Sequence, residues 1–401
     1  VSNTEIKRKL SWIAFLYFFS GLPLGLFYTF LPVYFRTQGI DLVKIGLFSS
    51  AGIFWSLKPI WAPLVDRYLS KKIWMSLSLF GISFSLLGLY HFPYTSTLFV
   101  FSLFSLTFFS ALLDTALDGF VIEWIPEKEL GRANGIRVSF YRIALIFAGG
   151  LLTAISQYLK FSFIFISLFL ITFAGGFIIL ASGSLSKTLQ KRKILSLKEQ
   201  YLIPVLELLK RKNFVWVLIF IMLYKAGDAL LGGMVYPFWV DKGFSRLEIG
   251  LISGTLGSLF TILGSLIGGH YTSKWKLKNS LLIFGALQAV SNLGYAFCAL
   301  PFVNKKFIYL ASIIESFTGG LGTASFITFL TALCRKEFSS TQYAIFSTLF
   351  SFTMVACRTV SGWGAKHFGY ALYFFLTFFV AITPLFFIPY LFKKTALKEE
   401  N

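Results

Sequence analysis

Long apolar stretches alternate with short charged intervals along the whole chain. A membrane-crossing helix needs about 20 mostly apolar residues. Runs of that kind are predicted at 11–35, 43–65, 73–92, 97–124, 133–157 and 161–183, then at 214–239, 247–271, 279–301, 307–333, 341–365 and 370–392. Lipid offers no partner to an unpaired backbone amide, so only helices and closed barrels cross it. These runs are too long and continuous for barrel strands. The pattern predicts an all-α integral membrane protein with 12 transmembrane helices as two six-helix bundles. The first run continues to about Phe35 with no cleavage signature, and reads as a retained helix rather than a signal peptide.

Charge adds topology to this pattern. Of 37 Lys and Arg residues, 24 lie on one side of the predicted bilayer, 8 on the other and 5 inside helices. Cytoplasmic loops are the basic ones, so both termini are expected in the cytoplasm. The net charge of +20 is spread over short clusters between apolar runs, which speaks against nucleic-acid binding. Hydrophobic residues make up 56% and charged residues 13%, against about 25% charged in soluble domains. Cys298, Cys334 and Cys357 have no metal or disulfide spacing, and no phosphate-binding loop occurs. No cofactor, metal or enzymatic activity is expected.

The organisation is 1–183, a six-helix bundle; 184–213, a cytoplasmic linker; and 214–401, a second six-helix bundle. In the linker, Ser196-Leu197-Lys198-Glu199 fits a capping box, and Leu197, Tyr201, Leu202, Val205 and Leu209 recur at helical spacing. An amphipathic surface helix is predicted there. Gly39-Ile40-Asp41-Leu42-Val43-Lys44-Ile45-Gly46-Leu47 is echoed 204 residues later by Gly243-Phe244-Ser245-Arg246-Leu247-Glu248-Ile249-Gly250-Leu251. Two six-helix halves in parallel repeat, each with a basic loop after its second helix, resemble the major facilitator superfamily.

A charge inside a spanning helix costs roughly 3 kcal/mol on insertion scales, so it usually faces a cavity or a partner. Asp114 and Asp118, four residues apart, share a helix face and are candidates for proton carriage; neutralisation by a neighbouring cation is the structural alternative. Arg137, Tyr141 and Arg142 place cations on the fifth helix, facing either those aspartates or an anionic substrate. Lys225 and Asp228, three apart, fit an intrahelical pair. Gln288 and Asn292 share a face suited to hydrogen bonding a sugar or peptide, or to helix packing. Glu315 heads a stretch of small residues whose packing does not explain a carboxylate. Trp55 and Trp61 flank Lys58 and could stack on a sugar or simply pack.

Several segments resemble the AmpG-like muropeptide permeases of the major facilitator superfamily. They are Ser20-Gly21-Leu22-Pro23-Leu24, Ile45-Gly46-Leu47-Phe48, Leu57-Lys58-Pro59-Ile60-Trp61-Ala62-Pro63-Leu64-Val65-Asp66-Arg67-Tyr68 and Tyr224-Lys225-Ala226-Gly227-Asp228-Ala229. Gly243-Phe244-Ser245, Leu287-Gln288-Ala289-Val290-Ser291-Asn292-Leu293-Gly294, Thr318-Gly319-Gly320-Leu321-Gly322-Thr323-Ala324 and Phe338-Ser339-Ser340-Thr341-Gln342-Tyr343-Ala344 continue the series. Gly119-Phe120 depart from the family's usual Ala-aromatic pair. The resemblance implies a proton-coupled importer of anhydro-muropeptides in the bacterial inner membrane. It would act by alternating access, with the bilayer and protons as its other partners, and is expected to be monomeric. On this reading Asp114, Asp118, Asp228 and Glu315 are proton-coupling candidates. Lys58, Trp61, Tyr141, Arg142, Lys225, Gln288, Asn292 and Gln342 are substrate-binding candidates, and Asp66 and Arg67 gate the loops. The alternatives are transport of another organic anion, such as an acyl-CoA or sugar conjugate, or a non-transporting membrane receptor.

Overall fold

A computed structural model of the chain describes residues 3–125, 130–185, 203–211, 214–334 and 339–394. The described residues are helical apart from turns. α1 (Asn3–Gly25), a π-helical turn (Leu26–Phe30) and α2 (Leu31–Thr37) form the first passage. The second passage is broken: α3 (Leu42–Phe48), a 3-10 turn (Ser49–Gly52), α4 (Ile53–Ser56) and α5 (Lys58–Arg67) replace the continuous helix expected over 43–65. Pro59 explains the break. It lacks the amide that would bond back one turn, its ring excludes the preceding carbonyl, and Leu57 leaves helical geometry (φ −93°, ψ 7°).

α6 (Lys71–His91), α7 (Thr97–Trp124), α8 (Leu130–Leu145) with a second π turn (Ile146–Leu151), α9 (Leu152–Ile155) and α10 (Phe161–Ala181) follow. After the linker come α11 (Ile203–Leu209), α12 (Phe214–Leu223), α13 (Ala226–Asp241) and α14 (Arg246–Glu248). A third π segment (Ile249–Leu256), α15 (Gly257–Lys274), α16 (Leu277–Cys298) and α17 (Phe307–Ala332) come next. α18 (Ser339–Ile382) and α19 (Ile388–Lys394) end the described chain. α18 is really two passages. Its 44 residues would run about 66 Å at 1.5 Å each, twice the hydrocarbon thickness. Gly369 breaks it with φ 69°, ψ 159°. Ten stretches among the described residues are long and apolar enough to cross a membrane. One of them, Gln342–Phe392, covers two of the predicted helices, and the broken α3–α5 passage supplies the remaining one.

The chain forms two compact units that do not follow the sequence halves exclusively. Unit 1 takes its residues from the N-terminal half except Gly39–Ser50, and adds Phe244–Thr255; unit 2 is the converse. The two exchanged segments carry the two copies of the repeat, except that Gly243 itself stays in unit 2. Both open on a glycine that needs a positive φ, Gly39 at 75° and Gly243 at 74°. Both are then capped by a side chain: the Val43 amide donates to Asp41 at 2.9 Å, and the Glu248 amide donates to Ser245 at 3.2 Å. In unit 2, α3 packs so closely on α18 that a Cβ at Gly46 would lie 2.6 Å from the Thr359 carbonyl, and Lys366 pairs with Asp41 at 2.8 Å. In unit 1, a Cβ at Gly254 would lie 2.6 Å from Gly150 Cα, and the Arg246 guanidinium sits 4.7 Å over the Phe161 ring.

The predicted capping box at 196–199 lies outside the described residues. The described end of the linker, α11, buries Leu208 and leaves Leu206 and Leu209 exposed.

Candidate functional site

Each unit holds a cluster of charged and polar side chains on its spanning helices. In unit 1 the broken second passage sets Lys58 at the start of α5, where Nζ reaches Asp114 Oδ2 of α7 at 2.7 Å. The Ser20 hydroxyl of α1 donates to the other Asp114 oxygen. One turn further along α7, Asp118 accepts from Tyr17 OH at 2.9 Å and pairs with Arg137 of α8 at 2.9 Å. The Arg137 guanidinium also lies 5.0 Å over the Tyr17 ring. The two aspartates therefore share a face as expected, but each has its own cation. Arg142, one turn and a residue beyond Arg137, is exposed, and no ion pair is described for it. Tyr141 precedes it, half-buried, with its carbonyl against Gly21 of α1.

Trp61 is buried, edge-on to Phe108 and tilted against Phe54, and its indole N–H has no described partner. It packs among aromatic rings rather than presenting a face. Trp55 packs on Phe27 and Tyr28, likewise with an unpartnered N–H. Arg67 is exposed and stacks 5.6 Å over Tyr68. The side chain of Asp66 lies outside those described.

In unit 2, the chain leaves helical geometry between α12 and α13, and Lys225 sits at that break (φ −110°, ψ 4°). An ammonium has three N–H donors, and all three are taken: Asp228 Oδ2 at 3.0 Å, Gln288 Oε1 at 2.8 Å and the Gly319 carbonyl at 3.1 Å. Because lysine only donates, Oε1 must be the Gln288 atom facing it, which leaves Gln288 Nε2 buried without a partner. Asn292, one turn along α16, donates to Thr377 at 3.3 Å and has an unpartnered Oδ1. Glu315 lies on α17, the helix that supplies the Gly319 carbonyl. It accepts a long bond from Ser316 at 3.4 Å, and no ion pair is described for it.

The structure thus gathers Lys58, Asp114, Asp118, Tyr141 and Arg142 on neighbouring helices of unit 1. It groups Lys225, Asp228, Gln288, Asn292 and Glu315 in unit 2. Gln342 stands apart: it is fully buried, with hydrogen bonds to Glu207 and Arg211 at the linker. Sequence reasoning missed Tyr17, Ser20 and Thr377 as partners. Ser20 lies inside the quoted Ser20-Gly21-Leu22-Pro23 stretch, which was the available signal. No cluster of three or more His, Cys, Asp or Glu side chains able to hold a metal occurs among the described residues.

The sequence profile described as Major Facilitator Superfamily matches residues 13–355 and, again, 241–401. The chain belongs to the major facilitator superfamily. It is accordingly a multi-pass secondary transporter rather than an enzyme, and its substrate is a small molecule. Among relatives in this superfamily, the anhydromuropeptide permease of Escherichia coli K12 is 30% identical over 378 residues, covering 92% of this chain and 76% of that protein. A putative transporter AmpG 4 of Rickettsia conorii is 26% identical, covering 93% and 94%. Solved structures share the superfamily fold at low identity. The nucleoside transporter NupG superposes with a TM-score of 0.74 at 16% identity, covering 98% of this chain and 100% of that one. A D-xylose-proton symporter gives 0.70 at 14%, covering 94% and 96%.

Proposed function

We propose that this superfamily member imports anhydro-muropeptides, peptidoglycan fragments of an anhydro sugar carrying a short peptide, across the bacterial inner membrane. Both termini are cytoplasmic in this reading, and transport is coupled to protons by alternating access. The observation that carries the substrate is the 30% identity to the E. coli anhydromuropeptide permease over 92% of the chain. The geometry supports an anionic peptide-bearing ligand. Arg142 is an exposed cation on a spanning helix without a described carboxylate partner. Lys58 is partly exposed and held by Asp114, and a ligand carboxylate has the same chemistry as the group it would displace. Gln288 Nε2 and Asn292 Oδ1 supply one donor and one acceptor for the sugar or peptide.

Among the four coupling candidates, Glu315 fits proton carriage best. Asp114, Asp118 and Asp228 each neutralise a named cation. Glu315 has no such partner described, so its neutral form is the one that a spanning helix tolerates at least cost. The first test is uptake of labelled anhydro-muropeptide by proteoliposomes, with unlabelled competitors. Competition by muropeptide and not by an acyl-CoA or a simple sugar phosphate is expected. Preferential competition by an acyl-CoA would replace the assignment with transport of a different anion.

A further inference from the structure

The described hydrogen bonds of the fully buried Gln342 run to the linker rather than to either charged cluster. It closes a ring with the linker. Arg211 embraces Glu207 with two bonds, Nε to Oε1 at 3.1 Å and Nη2 to Oε2 at 2.8 Å. Arg211 Nη2 also donates to Gln342 Oε1 at 3.0 Å, and Gln342 Nε2 returns a bond to Glu207 Oε2 at 2.6 Å. Nη1 of the same arginine donates to the Leu333 carbonyl at 2.6 Å. Leu333 caps α17, and its carbonyl is one of those a helix end leaves without an intrahelical partner, where positive charge is favourable. Gln342 is in the first turn of α18. Beneath the ring, Leu208 of α11 is buried in a core with Phe214, Leu330, Leu333 and Phe346.

We infer that α11 is a clasp, with Gln342, Glu207 and Arg211 as positioning residues that fix the junction where α17 ends and α18 begins. The two clasped helices carry chemistry: α17 bears Glu315 and the Gly319 carbonyl that receives Lys225, and α18 bears Arg358. A ring that holds their ends sets how α17 lies against Lys225. The ring also explains the residue type at 342. Its amide must offer an oxygen to the guanidinium and an N–H to the carboxylate at once. A carboxylate at that position could satisfy Arg211 but would face Glu207 with like charge. An apolar residue would satisfy neither of these half-buried charged groups, leaving hydrogen-bonding capacity on both unmet.

The polarity of the ring gives the test. Full-length wild type, Gln342→Glu, Glu207→Gln and the double substitution are compared by hydrogen–deuterium exchange in detergent, read over 203–209 and over 315–322. Gln342→Glu is expected to raise exchange ~10-fold in 203–209, as loss of a charged hydrogen bond implies, with a smaller rise in 315–322. The double substitution reverses amide and carboxylate while keeping Arg211 served, so both windows return towards wild type. Should Gln342→Glu fail to accumulate, Glu207→Gln provides the milder single change, and recovery of folded protein in the double is itself the rescue. Unchanged exchange at 203–209, or no rescue, overturns the clasp. A change at 203–209 with none at 315–322 overturns the positioning role.

Discussion

The two units solve the same problem, charge inside a membrane helix, in opposite ways. Unit 1 pairs its charges across helices and leaves three of the four partly open: Lys58 is 32% exposed, Arg137 and Asp118 are 36% and 43% exposed, and only Asp114 is closed off, at 9%. Unit 2 pairs Lys225 with Asp228 three residues along the same segment and closes the pair off, at 6% and 14%. An open pair is only weakly held. A closed pair must be fully satisfied, because breaking it strands a buried charge. In the proposed function, unit 1 reaches towards an incoming anion, and unit 2 keeps a guarded ion pair near Glu315, for which no ion pair is described among the described residues.

The largest effect should come from breaking the closed pair. Lys225→Met removes the cation from Asp228, Gln288 and Gly319 together and is expected to cost about 3–5 kcal/mol, read by thermal unfolding in detergent. A stability within 1 kcal/mol of wild type would show that the pair is not guarded in solution. Arg142→Gln should leave stability nearly unchanged and raise the KM for an anionic substrate ~10-fold, about 1.4 kcal/mol of binding. A changed melting temperature with an unchanged KM would move Arg142 from ligand attraction to scaffolding. The smallest effect is expected for Arg137→Gln. Its open pair with Asp118 should be worth at most ~1 kcal/mol by unfolding, and a loss as large as that of Lys225→Met would erase the distinction between the units.

Much of this contrast could be read along the chain, because part of it is local. Lys225 and Asp228 are one helical turn apart, and their pairing follows from spacing alone. The repeat at 39–47 and 243–251 marks two equivalent turns because glycine and a capping residue stand at matching offsets. Spacing alone does not choose between the aspartates and a substrate for Arg137 and Arg142, and the structure divides them: the first binds Asp118, the second is exposed. The Lys58–Asp114 pair joins residues 56 apart, and sequence spacing carries no information on such a choice. The same holds for Gln342, whose ring spans 135 residues to Glu207. Residue type leaves Trp61 open to stacking on a sugar or to packing, and its ring packs against Phe54 and Phe108. The break in the second passage was legible in Pro59, but the apolar run around it masked the signal.

Glu315 is the proposed coupling carboxylate. The most direct measurement is uptake of labelled anhydro-muropeptide by proteoliposomes with and without an imposed pH gradient, for wild type and Glu315→Gln. The account predicts that the gradient drives accumulation by the wild type. Glu315→Gln, permanently neutral, should still exchange labelled for unlabelled substrate but gain nothing from the gradient. Gradient-driven accumulation by Glu315→Gln equal to wild type would contradict it.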